Sequence, residues 1–238
     1  MASYTGAHVS GVSSGGAGFT TSSVDTSGAN FLVAVLTRYK QIESAPLSDS
    51  KGNTWLTSAE ETGVGGAFDQ ALQIHYAKNA IVGANHTFTV GGDQVYASLE
   101  VSAFSGVDAT SPSDGETGFA NTTATSIQAG PITPSANGAL IVAGWANRDS
   151  AAASLSINES FAITDQNLGL PSNYLGSASA YLIQGGAAAI DPTWSWSNTD
   201  QGIAVLSAFK AAAGGGFIPF PRRGLIGGMM NRSGGMQL

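Results

Sequence analysis

The chain predicts an all-β protein: a two-sheet antiparallel β-sandwich with an internal pseudo-repeat and an extended C-terminal arm. Three observations predict it. Several segments alternate with the two-residue period of a strand that buries one face. Charged residues are only 11% of the 238 positions, against roughly 25% in an ordinary globular domain. The second half of the chain also lies on the first at an offset of about 106 residues.

Taken in order, residues 1–16 read as a Gly/Ser-rich N-terminal segment without the charged start and apolar stretch of a signal peptide. NFLVAVL, opening at Asn30, is a continuous apolar run, as a strand covered on both faces requires. SDSKGNTW follows as a turn, with Gly52 at its left-handed position. ALQIHYAKNAI passes locally for a helix, but its ends carry no caps. HTFTV alternates from His86. In QVYASLEVSAF, Val95, Ala97, Leu99, Val101 and Ala103 share one face, and Tyr96, Ser98, Glu100, Ser102 and Phe104 share the other. ALIVAG, from Ala139, is a second apolar run, and TWSWS, from Thr193, alternates again.

The repeat gives the organisation. At the offset of about 106, Trp55 falls on Phe161, Tyr181 on His75, Thr193 on Thr87 and Trp194 on Phe88. One residue of slip aligns VSAFSG with LSAFKA, and an offset of 108 sets Leu32 on Leu140. Each half holds about five convincing strands, few for an independent sandwich, and the junction at Pro131–Pro134 has no flexible linker. The expected domain is therefore 17–212, built of halves at about 25–108 and 132–212. Residues 213–238 form the arm.

Net charge is −7, and it is unevenly placed. Six Lys/Arg and all sixteen Asp/Glu lie in 1–210, giving −10, while the remainder carries three arginines. An acidic body argues against nucleic-acid binding, which needs a basic footprint. No apolar run approaches a membrane span, so no membrane insertion is expected. The absence of cysteine removes disulfides and thiolate metal sites.

Several weak motifs in fixed order carry a resemblance over roughly 25–212: Ile74–Asn79 (IHYAKN), Thr87–Val90 (TFTV), Ser105–Asp108 (SGVD) and Gly138–Val142 (GALIV). In this order the chain resembles a β-sandwich domain of bacterial surface, secreted and bacteriophage proteins. The resemblance implies a jelly-roll-like sandwich with no established catalytic activity. The arm resembles the Arg- and Gly-punctuated ends of some phage structural proteins.

Signals for chemistry are sparse. GVSSG matches a nucleophile-elbow pattern at Ser13, but in a Gly/Ser-rich leader without the required strand-to-helix context. His8, His75 and His86 are scattered, whereas catalytic zinc needs three converging ligands. Asp108, Asp114 and Glu116 lie in an acidic loop that reads as solvated rather than as a calcium site. N-x-S/T patterns at Asn85, Asn121, Asn158 and Asn231 are what a Ser/Thr/Asn-rich chain produces by chance. No nucleophile–base–orienter set assembles, and neither enzyme activity nor a cofactor is expected.

The arm offers the clearest functional signal. FIPFPRRGLIGGMMNRSGGMQL exposes Phe217, Ile218, Phe220, Leu225, Ile226, Met229 and Met230 if left in water, with Arg222, Arg223 and Arg232 among them. Its glycines and prolines disfavour a helix, and apolar clusters of this kind mark interaction sites. The expectation is a docking arm that fastens the acidic body to neighbouring subunits. Together with the resemblance, this implies a non-enzymatic virion protein: a capsid decoration, head fibre or tail component, homo-oligomeric and assembled in the host cytoplasm. The alternative is a carbohydrate-binding or adhesive module, on a bacterial surface or secreted, that meets host glycans through Trp145 and Trp196.

Overall fold

A computed structural model describes residues 1–13, 17–39, 46–63, 70–93, 96–148, 154–168 and 175–213. Among these residues there are strands and turns but no helix. One large sheet runs β1 (Ser3–Ser13), β8 (Ala97–Ser105), β3 (Phe31–Tyr39), β6 (Gln70–Lys78) and β5 (Leu56–Thr62). The second centres on β10 (Ala139–Arg148), which lies between β13 (Leu175–Gln184) and β14 (Thr193–Phe209). β12 (Ala162–Asn167) extends it beyond β13, while β11 (Leu155–Ile157) and the long β9 (Ser113–Gln128) both pair with β14. A small third sheet sets β7 (Phe88–Asp93) between β2 (Ala17–Thr20) and β4 (Leu47–Asp49). Every pairing is antiparallel.

Side-chain alternation decides how these sheets stack. Phe31, Val33 and Val35 of β3 point to one side, with Leu72, Ile74 and Tyr76 of β6, and meet Leu140, Val142, Val205 and Phe209 of the second sheet. Leu32, Ala34 and Leu36 point the other way, under Phe88 and Val90 of the small sheet. β14 spans seventeen residues and serves two layers. Its last part pairs with β10, and its first part folds back so that Trp194 and Trp196 cover Ile141, Ala143 and Trp145. The body is an antiparallel sandwich whose two large sheets share a core, each with a further apolar cluster on its far side. A Cβ on Gly144 would lie 3.0 Å from Val205 on the neighbouring strand and 3.1 Å from Val35 of the facing sheet.

The structure corrects several local readings. Residues 3–13 form edge strand β1 rather than a loose leader. ALQIHYAKNAI, which lacks helix caps, forms strand β6 as far as Lys78, as the alternation around His75 leads one to expect. The polar face of β8 is enclosed as well, because the second sheet covers Ser98, Glu100 and Ser102. The repeat offsets also shift by one in the doubly covered strands. Phe31 pairs with Phe104 as Leu140 pairs with Phe209, so Phe31, not Leu32, holds the place of Leu140. Leu56 pairs with Tyr76 as Ala162 pairs with Tyr181, so Tyr181 matches Tyr76 rather than His75. Trp194 pairs with Ile157, and Phe88 with Asp49.

The first and the last of the described residues gather at one place. Ala2 N–H donates to the Gly138 carbonyl at 3.2 Å, and Ala212 N–H donates to the Gly106 carbonyl at 2.8 Å. Gly106 has φ +69°, and a Cβ there would collide with the Met1 carbonyl oxygen.

Candidate functional site

The docking residues expected in the arm, Phe217, Ile218, Phe220, Arg222, Arg223, Leu225, Ile226, Met229, Met230 and Arg232, lie outside the described residues. The tryptophan platform is overturned. Trp145 is 0% and Trp196 4% exposed, and with Trp194 they form the aromatic heart of the second sheet's outer cluster. Ring centroids lie 5.5 Å apart for Trp145 and Trp196 and 6.4 Å for Trp145 and Trp194. A ring whose faces already pack on protein has none left for a sugar.

The acidic loop does not converge. Asp108 Oδ1 accepts from the N–H groups of Thr110 and Ser111, Asp114 Oδ2 from Ser135 N–H, and Glu116 Oε2 from the Ser58 hydroxyl. Among the described residues no three acidic, His or Cys side chains gather as metal ligands. Ser13 lies within β1, opposite Ala97, and not at a strand-to-helix turn. His75, on the outer side of β6, lies 3.2 Å through Nδ1 from the Thr57 hydroxyl and 3.3 Å through Nε2 from Gln73 Oε1. Gln73 Oε1 accepts only, so Nε2 carries the proton and Nδ1 accepts from Thr57. Burial lowers the His75 pKa to about 4.

One constellation was not foreseen. The DSKGN turn forms as expected, with Gly52 at φ +75°, but the Asp49 carboxylate turns inward. Its Oδ2 accepts from Trp55 Nε1–H at 2.7 Å, and its Oδ1 accepts from Lys51 N–H at 2.8 Å. His86 Nε2 lies 3.1 Å from Oδ1, and both side chains are fully buried. That contact is close but poorly aligned, so it counts as electrostatic rather than as a full hydrogen bond. His86 Nδ1 lies 2.9 Å from the Thr26 hydroxyl, whose oxygen accepts from Gly83 N–H at 3.1 Å. Burial alone pushes the Asp49 carboxyl up, and the close imidazole of His86 together with the donors from Lys51, Trp55 and Asn53 outweighs it and holds it below the usual range. The line carboxylate–imidazole–hydroxyl has the order of a hydrolase triad. Here Thr26 is only 1% exposed, and no substrate reaches it. The cluster ties together the loops before β3, after β4 and before β7.

A second buried polar group sits between the large sheets. Glu100, 2% exposed, accepts through Oε1 from the hydroxyls of Ser98 and Ser177, each at 2.6 Å. Its Oε2 has no hydrogen-bond partner among the described residues. Burial pushes this carboxyl up to about 7 against the pull of the two serines. The void beside it measures about 10 Å³, the space of one water, too small for a substrate.

An open concavity lies elsewhere, along β9. This strand pairs with β14 twice, through residues 113–121 and again through 124–128 after an irregularity at Asp200. Thr117, Phe119 and Asn121 alternate onto the side facing the second stretch. Thr117 Oγ1 donates to the Ala129 carbonyl at 2.7 Å and Asn121 Nδ2 to the Ser126 carbonyl at 3.2 Å. Between these clamps is a cleft of about 410 Å³ lined by Gly118, Phe119, Asn121, Ser126, Gln128 and Thr193, among others. Phe119 is the most exposed aromatic side chain of the described body, at 53%. Sequence reasoning passed over it because GFANTT has no large apolar neighbours to announce it. No family model, curated protein or solved structure matches this chain.

Proposed function

We propose that the chain is a non-enzymatic structural subunit of a bacteriophage particle, a capsid decoration, head fibre or tail component, held to neighbouring subunits by its C-terminal arm. The observation that carries this reading is where the arm begins. The chain is tied down as far as Ala212, beside Gly106 and Met1, and Ala213 is exposed. An apolar, cationic segment that starts at the surface of a closed body has to satisfy its apolar side chains elsewhere.

Two features support it. The body keeps its titratable clusters under cover: Asp49, His86, Thr26 and Glu100 are all sealed inside. The body is acidic, and its exposed carboxylates, such as Asp25 and Glu116, are offered to Arg222, Arg223 and Arg232 of an adjoining copy, which favours a homo-oligomer. The test is to purify particles from cells making this protein and quantify it by mass spectrometry. The reading expects it in the particle at fixed stoichiometry, many copies for a shell component and few for a tail. Its consistent absence from intact particles would exclude the role.

A further inference from the structure

We propose that the cleft inside the bend of β9 is a binding site for a neutral saccharide, with Phe119 as its stacking face. The lining decides the ligand class. It combines one exposed aromatic ring with hydroxyls and carboxamides, Ser126, Thr193, Asn121 and Gln128, and among the described residues carries no charged side chain although the body is acidic. A pyranose presents that same combination: an apolar C–H face for a ring and neutral hydroxyls for amides. At about 410 Å³ the cleft falls within the range of small-ligand sites.

The polar groups are held in place before any ligand arrives. Asn121 donates through Nδ2 to the Ser126 carbonyl and accepts through Oδ1 from Gly202 N–H at 2.9 Å. Gln128 donates through Nε2 to the Asp191 carbonyl at 2.9 Å, leaving its Oε1 and second N–H for a ligand. Fixed donors and acceptors lower the ordering cost of binding.

The first sheet shows the same place closed. There Gly11 of β1 pairs with Leu99, next to Leu36, as Phe119 of β9 pairs with Ala204, next to Trp145. The ring of Phe19 from β2 lies so close that a Cβ on Gly11 would meet it at 2.8 Å. In the second sheet the aromatic side chain sits on the lower strand instead, and Ser126 and Gln128 line the space with it. One side is packed shut by an apolar lid; the other holds an aromatic floor beneath polar groups.

The site is independent of the arm and is tested apart from it. Isotope-labelled full-length chain is titrated with maltotriose, chitotriose and the anionic trigalacturonate while backbone amides are followed by NMR. The expected result is saturable movement of amides in 117–121 and 126–130 with at least one neutral trisaccharide at millimolar concentration, and weaker movement with the acid. Phe119→Ala weakens that binding about tenfold while the remaining spectrum stays native, and Phe119→Trp preserves it. The proposal is overturned if neither neutral trisaccharide moves these amides, or if Phe119→Ala binds as well as the parent.

Discussion

Glu100 is the residue with the sharpest consequence. Its carboxyl is neutral at low pH in the folded chain, and its pKa of about 7 stands above the ordinary 4.5. A raised folded-state pKa means that this contribution to stability is complete below about 4.5 and lost as pH climbs through about 7. The loss is about 3 kcal/mol. His75 works in the opposite sense: its folded pKa of about 4 lies below the ordinary 6.5, so its contribution is lost as pH falls through that window. Glu100→Gln separates the two, since an amide imitates the neutral acid. Urea denaturation should find it close to the parent near the lower end of the Glu100 window and more stable by about 3 kcal/mol above it. Parallel pH profiles would refute the assignment. Asp49→Ala makes the complementary case. It strands Trp55 Nε1–H, Lys51 N–H and the buried His86, and should cost about 3 kcal/mol in the same assay. An unchanged midpoint would show that the cluster holds nothing together.

At the scale of elements, β1 is the informative strand. It covers the edge of β8 from Ala97 to Ser105 and carries few large apolar side chains, which is why SYTGAHVSGVS reads as leader. Deleting residues 1–13 should expose that edge and make the chain aggregate, measurable by light scattering; a deletion variant that scatters no more than the full chain would contradict it. The strands themselves were legible wherever alternation or an apolar run was long: β3, β8, β10 and β14 all stand where the sequence puts them. What the sequence could not reveal has a physical reason in each case. NFLVAV and ALIVAG match best at an offset that swaps faces, because a strand buried on both sides has no alternation to fix its parity. β2 and β4, of four and three residues, are too short for any period. Asp49 and His86 meet from separate loops, 37 positions apart in sequence. Phe119 was hidden by its small polar neighbours, and the conspicuous tryptophans, placed correctly on one face of TWSWS, proved to be core.

For the whole molecule, the division of labour follows from what is buried and what leaves. Two large sheets enclose a shared core, and the buried polar groups fix loops and sheet contacts rather than face solvent. The proposed roles fall to the β9 cleft and to residues 214–238, which follow the exposed Ala213. On the proposed reading the body is the durable outward unit and the arm the attachment. The most direct measurement of that claim is a competition in which cells supply equal amounts of the full chain and of a chain ending at Ala213, and the purified particles are assayed for both. The account predicts that both chains fold with the same cooperative melt and that only the full chain enters the particle. Equal incorporation of the two would contradict it.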